Sequence, residues 1–289
     1  MTASVKLQYE GFMAIKDILV TLTSYPEPTP VSAVEDAIAV AAVLDAHIAA
    51  LSCEIHVEVP GHFLAGSVVG LPGVIAGEAA RSRENAQNLI AAFDAAAARF
   101  GASRESILQK CKSSEVPELL CEYARLRDLT IVPESNDRLS AEAVIFGSGR
   151  PVLVLPQNPR SRPFRVGTVA VAWDFSRAAA RAVSDAIPLL EKASKVRVVT
   201  VLNEKHLDRK HSAEELSKNL SRHGIDLVLD RVDAGGRPID AVLESYVSAH
   251  EVDVLVMGAY GHSRLREFVL GGATKSLLSK PLLPILFSH

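Results

Sequence analysis

Apolar positions along this chain follow two rhythms. Short uninterrupted apolar runs, such as Asp17-Ile-Leu-Val-Thr-Leu22 and Leu129-Thr-Ile-Val132, read as buried strands. Between them apolar residues recur at helical spacing, as at Ala37, Val40, Ala41 and Leu44. A proline-rich break from Tyr25 to Pro30 separates the first strand from the first helix. Strand character returns over His47 to Val59, and a Gly/Pro-rich segment covers 60–77. The pattern then predicts a helix near 76–100, a strand near 104–111, and helices near 114–126 and 138–146. Pro151-Val-Leu-Val-Leu155 closes the first half as a strand.

The second half repeats this order. Thr168 to Ala172 reads as a strand, and Ser176 is placed to cap a helix running to about Lys192. Strands over Val196 to Leu202 and Ile225 to Val232 flank a helix over 212–223. Pro238 opens a helix that puts Ile239, Val242, Leu243, Tyr246 and Val247 on one face. Val252 to Met257 and Pro284 to Phe287 are the last strands.

Strands without polar alternation, separated by helices, imply a parallel sheet covered on both faces. Each half is therefore predicted to be a doubly wound α/β domain with a five-stranded parallel sheet. The expected domains are 1–158 and 163–289, joined by the polar, Pro-bearing segment 157–163. The halves align with each other. Ile18–Leu22 is set against Thr168–Ala172, Arg127–Val132 against Val252–Met257, and Arg150–Val154 against Leu283–Phe287. This reads as a tandem duplication. Strands 151–155 and 284–287 should pair and pack the halves with pseudo-two-fold symmetry, whether the chain is a monomer or a homodimer.

Composition narrows the function. The chain has 289 residues, 48% apolar and 22% charged, which excludes global disorder. Only 5% are aromatic, against an extended base-stacking surface for single-stranded nucleic acid. The net charge of −3 argues against nucleic acid or an acidic membrane as partner. The charge is uneven: residues 1–158 carry 12 basic and 19 acidic side chains, residues 159–289 carry 19 and 15. An anionic ligand should favour the second half. Three cysteines with no short framework fit free thiols in a reducing cytoplasm. The N-terminus shows no apolar signal core, and Val59 to Gly77 is broken by Pro60, Pro72 and five glycines, so no membrane span is expected. Cys53, His56 and His62 fall short of a converging zinc set, and no histidine is placed to serve Ser176. No metal-binding or catalytic residue is expected.

The most informative stretch runs from Met257 to Thr274, after a buried strand and before a helix starting near Ala273. Gly258, Gly261, Gly271 and Gly272 would allow positive φ and a close approach of main-chain N–H groups to a ligand. With the helix N-terminus they make an anion site at the C-terminal edge of a parallel sheet. The alternative is a plain glycine-rich turn. The stretch is neither a Walker A sequence nor the dinucleotide Gly-x-Gly-x-x-Gly.

On these residues the chain resembles the universal stress protein family, with its adenine-nucleotide alpha-hydrolase-like fold. That family's loop is Gly, two residues, Gly, nine residues, Gly, then Ser or Thr. Gly258, Gly261 and Gly271 fit the spacing, and Gly272 replaces the hydroxyl residue, with Thr274 close by. The strand Ala170-Val-Ala-Trp-Asp-Phe-Ser176 also looks like the family's first strand. The resemblance implies that Asp174 holds the ribose hydroxyls and that Val201 lies where the backbone meets adenine. Ala172, Met257, His262, Ala273 and Thr274 complete the implied site. Gly235 to Ile239, entering a helix, is similar as well. The implied ligand is ATP, with Mg²⁺ held through its phosphates, and the implied role is regulatory rather than enzymatic, with a slow ATPase left open.

The first half departs from the pattern. Pro133 and Asn136 fall where Gly258 and Gly261 stand, and Ser24 is set in the place of Asp174. Asp128 to Pro151 spans 23 positions where Asp253 to Pro284 spans 31, so the phosphate loop has no room. ATP is expected only in the second half. The apolar segment 59–77 offers a lid over an apolar ligand or, alternatively, a loop packed onto its own core. Two rival functions remain: an apolar-ligand module using the first half, and a scaffold without ligand.

Overall fold

The computed structural model describes residues 14–56, 71–134, 138–157, 164–202, 212–259 and 272–289. The first half contains β1 (Asp17–Leu22), α1 (Val31–Leu44), β2 (His47–His56), α2 (Leu71–Phe100) and β3 (Arg104–Lys112). It continues through α3 (Val116–Arg125), β4 (Leu129–Pro133), α4 (Arg138–Gly147) and β5 (Val152–Leu155). The second half runs β6 (Thr168–Ala172), α5 (Arg177–Leu190), β7 (Lys195–Leu202), α6 (Ser212–Arg222) and β8 (Leu227–Asp233). It ends with α7 (Ile239–Ala249), β9 (Val254–Gly258), α8 (Gly272–Ser279) and β10 (Ile285–Ser288).

The ten strands form one sheet in the order β3-β2-β1-β4-β5-β10-β9-β6-β7-β8. Each half supplies five strands, and the order reads the same from either end. Within a half every neighbouring pair is parallel. At the junction β5 and β10 run antiparallel, with Val152 opposite Phe287 and Val154 opposite Ile285. The expected pairing of the last strands is therefore the join of two doubly wound α/β units.

Helices cover both faces of the inner strands, which is why these carry no polar alternation, whereas the edge strands β3 and β8 alternate and are largely exposed. One core packs Ile18, Val20, Phe93, Val171 and Leu190 beneath α1, α2, α5 and α6. The other packs Leu19, Leu120, Leu243 and Phe287 beneath α3, α4, α7 and α8. Both cores draw side chains from both halves, so the interior runs unbroken through the junction.

Local chemistry explains the element ends. Ser176 caps α5 by accepting from the Ala179 N–H at 3.0 Å. Asp45, at φ 53, ends α1 in the left-handed region. Twin aspartates start the central strands of each half. The Asp128 carboxylate accepts from the backbone of Lys16 and Asp17, each at 3.0 Å, and Asp253 accepts from Thr168 N at 2.8 Å.

Two expectations need correction. The helix expected from about 76 begins at Leu71, so the C-terminal part of the 60–77 segment is helical. Pro72 is tolerated there because the first helical N–H groups have no intrahelical acceptor. The remainder of the proposed lid, 59–70, lies outside the described residues. The second correction is register. Ile18 faces Leu129 and Val169 faces Val254, so Ile18 is the twin of Val169 and not of Thr168. The cores agree: Ile18 and Val169 share one face, Leu19 and Ala170 the other. A one-residue slip would send every side chain to the opposite face. The other two alignments stand, since Leu129 and Val254, and Val152 and Ile285, occupy equivalent ladder positions.

Candidate functional site

The C-terminal ends of β6, β7 and β9 open onto a cavity of about 550 Å³. This is the edge where parallel α/β sheets place ligands, because crossover connections diverge there. Ala172, Trp173 and Asp174 leave β6 along one wall, and Val199 and Val201 line it from β7. Met257 and Gly258 come from the end of β9. Pro238, Ile239, Asp240 and Leu243 enter from the start of α7, and Gly272, Ala273 and Thr274 from the first turn of α8.

Eight of the residues selected from the sequence thus meet around one cavity: Ala172, Asp174, Val201, Met257, Gly258, Gly272, Ala273 and Thr274. Gly261, His262 and Gly271 lie outside the described residues. Val199, Ile239, Asp240 and Leu243 line the cavity beyond the residues that the sequence singles out. The family-like segment Gly235 to Ile239 pointed toward them, and the helical period put Leu243 on the core face. Neither showed that the first turn of α7 reaches the ends of β6 and β9.

The turn after β6 is held by its own hydrogen bonds. Trp173 N donates to Val199 O at 2.9 Å, Phe175 sits at φ 64, and Ser176 N donates to Asp174 Oδ1 at 2.9 Å. The left-handed Phe175 turns the chain from strand into helix and leaves the exposed Asp174 at the cavity rim. Trp173 stacks edge-on against Phe175, with ring centroids 5.7 Å apart. Its indole Nε1–H is buried and has no partner among the described residues.

The two described glycines depart from the expected backbone conformation. Neither Gly258 nor Gly272 has positive φ. A Cβ on Gly258 would lie 2.5 Å from both Ala178 C and Ala179 N. Gly258 is therefore needed so that β9 can end against the first turn of α5. Around Gly272 a Cβ would meet nothing within 4 Å among the described residues.

Chemically the cavity has three zones. Val199, Val201, Leu243 and Met257 make an apolar bed suited to a flat ring. Asp174 and Asp240 supply carboxylate acceptors. The first turn of α8 contributes N–H groups that have no intrahelical acceptor and the positive end of its dipole. Among the described residues no group of three or more His, Cys, Asp or Glu side chains is arranged to hold a metal ion.

The far end of α7 is anchored by a charged cluster. Asp230 accepts from Arg197 Nη1 and from the Tyr246 hydroxyl. Tyr246 stacks on His250 with centroids 4.2 Å apart. Burial pushes the Asp230 carboxyl up, but the Tyr246 and Arg197 hydrogen bonds outweigh it and hold it below the ordinary 3.8. Burial, reinforced by Asp230, raises the Tyr246 phenol well above its ordinary 10.0. The cluster ties α7 to β7 and β8 and so fixes the helix whose other end lines the cavity.

In the first half the matching ladder positions carry different residues. Pro133 pairs with Leu155 as Gly258 pairs with Ser288, so proline occupies the glycine position. With the corrected register, Thr23 rather than Ser24 stands in the place of Asp174. Ser24 instead turns inward and donates to Cys53 O at 2.5 Å.

Comparison with known proteins shows the fold over the whole chain. A universal stress protein from Archaeoglobus fulgidus superposes with a TM-score of 0.67 at 14% identity, covering 94% of this chain and 98% of its own. A putative universal stress protein from Pseudomonas aeruginosa gives 0.54 at 16% identity, covering 96% and 94%. A protein of unknown function from another strain of that species gives 0.55 at 16%, covering 96% and 93%. In sequence, a universal stress protein of Synechocystis sp. is 44% identical over 41 residues, and the match spans 14% of either chain. No family model matches. The resemblance to universal stress proteins read from the residues is thus shown, in fold along the chain and in sequence over that short segment. No helix among the described residues is long and apolar enough to cross a membrane.

Proposed function

We propose that this chain is a tandem universal stress protein that binds one adenine nucleotide, ATP, in its second half and acts as a regulator. The convergence of eight sequence-selected residues on one cavity supports this reading. Adenine would lie on Val199, Val201, Leu243 and Met257. The ribose hydroxyls would donate to Asp174, a charged acceptor already oriented through Ser176 N. The phosphates would approach the first turn of α8 and carry Mg²⁺ with them. Gly258, Gly261, Gly271 and Gly272 would frame the loop, with His262 beside the terminal phosphate. We expect no efficient hydrolysis, because the described cavity wall holds no lysine and the sequence carries no Walker A motif. Regulation would follow from nucleotide ordering this edge of the sheet and altering a surface offered to a protein partner in the cytoplasm. Domains 1–158 and 163–289 would then be a nucleotide-free half and a nucleotide-binding half.

Titration calorimetry of the full chain with MgATP tests the reading. One site per chain is expected. Two sites, or none at millimolar nucleotide, would overturn it.

A further inference from the structure

The first half keeps a cavity at the twin position. It measures about 330 Å³ and opens at the C-terminal ends of β1, β2 and β4. Its walls match those of the larger cavity at the strand ends and at the start of the following helix. Ladder register puts Thr23 where Asp174 stands, Cys53 where Val201 stands, and Val132 where Met257 stands. Val116 opens α3 as Ile239 opens α7, and Leu120 and Leu243 follow at the same spacing. Pro117 therefore takes the place of Asp240.

The substitutions share one direction: both carboxylates have been replaced. Among the described residues lining this cavity none is charged. Leu51, Ile55, Val116, Leu120 and Val132 give it an apolar body, and Thr21, Thr23 and Ser113 bring hydroxyls. The Cys53 thiol stays protonated, since its hydrogen bond with the Cys111 thiol, together with burial, raises it far above the ordinary thiol range. At about 330 Å³ this open cavity reaches the lower end of ligand-pocket sizes. An anion here would meet no cationic side chain among the described lining residues, and Pro133 has no N–H to offer a phosphate.

We propose that this cavity is a second ligand site, for a compact uncharged molecule with an apolar, ring-sized body and one or two hydrogen-bonding groups. It does not depend on the nucleotide reading. The two sites share a backbone frame and select opposite chemistries.

Two fluorescent probes with the same rings separate the possibilities. N-phenyl-1-naphthylamine is uncharged, and 8-anilinonaphthalene-1-sulfonate adds a sulfonate. With the full chain, the uncharged probe should bind one per chain, at least about ten-fold tighter than the sulfonate. Saturating MgATP should not displace it. Val116→Trp, which fills the first-half cavity with an indole, should weaken the uncharged probe by at least about ten-fold, while its twin Ile239→Trp leaves it unchanged. Absence of binding, displacement by ATP, equal affinity for the sulfonate, or loss in Ile239→Trp instead would each overturn the proposal. If Val116→Trp does not fold, ATP competition and the charge preference still decide.

Discussion

The two cavities occupy the same place in the same topology, yet one is rimmed by Asp174 and Asp240 and the other by no charge among its described residues. Sheet, crossovers and helix starts are common to both. The difference resides in side chains at strand ends and helix starts: aspartate against threonine, aspartate against proline, glycine against proline. The fold supplies a concave edge, and those few positions set its chemistry. The comparison also separates packing from binding. Gly258 is required by the neighbouring helix whether or not a ligand is present, whereas Asp174 has no packing role beyond its own turn.

The largest expected effect bears on that separation. Gly258→Val forces a side chain into the backbone at Ala178 and Ala179, and should cost on the order of 3 kcal/mol in urea unfolding. A loss below about 1 kcal/mol would show that β9 and α5 separate easily, and that the glycine serves the ligand after all. Next, Asp174→Ala removes a charged acceptor and should weaken ATP binding by about 1.5–3 kcal/mol in calorimetry. The twin change Thr23→Ala should leave ATP binding as it is. If both variants bind ATP like the parent chain, the asymmetry between the halves lies elsewhere.

Among the described residues the anchoring cluster has no twin in the first half, where Ala49 and Ile107 hold the ladder positions of Arg197 and Asp230. Tyr246→Phe removes one hydrogen bond to a carboxylate and should lower stability by about 1.5 kcal/mol. Its pH dependence has two limbs. The lowered Asp230 contributes stability that is complete above 3.8 and is lost as pH falls through its folded value. The raised Tyr246 contributes stability that is complete below 10.0 and is lost as pH rises through its folded value. Thermal melts across pH should therefore show the Tyr246→Phe deficit shrinking at both extremes, and a deficit independent of pH would contradict the assignment. The smallest effect concerns Gly272→Ser. A Cβ there meets nothing among the described residues, so the fold should tolerate it, and the added hydroxyl at the start of α8 should tighten ATP by about 0.5–1.5 kcal/mol. Weaker binding would mean that the glycine is needed for room.

Much of the fold was legible because buried parallel strands and their helices have distinct periods. The Asp128 and Asp253 pair marked equivalent strands without ambiguity, since a carboxylate at a strand start has a specific partner. The register of β1 against β6 was not legible. Ile18 to Leu22 is apolar on both faces, so a shift by one changes nothing in the pattern, and only the ladder decides. The start of α2 was hidden by Pro72, Gly73 and Gly77, which read as a loop although a first turn tolerates proline. On the candidate site, strand-end residues could be read from their own neighbours. Ile239, Asp240 and Leu243 required knowing that α7 crosses over to the same edge, which is tertiary information. The packing constraint on Gly258 was hidden for the same reason, because it comes from Ala178, eighty positions earlier.

The antiparallel seam between β5 and β10 has a consequence for how such a protein can change over generations. When two identical subunits meet across a symmetric interface, every substitution arrives twice, and a loss at one site is a loss at both. Here the partners are written separately in one chain and held together by a shared sheet. One copy can lose its acidic rim while the other keeps its own, and the interface that stabilises both is unaffected because its residues, Val152, Val154, Ile285 and Phe287, lie at the middle of the sheet. Covalent fusion turns an obligatory symmetry into two independently mutable surfaces, and specialisation of one half no longer endangers the other.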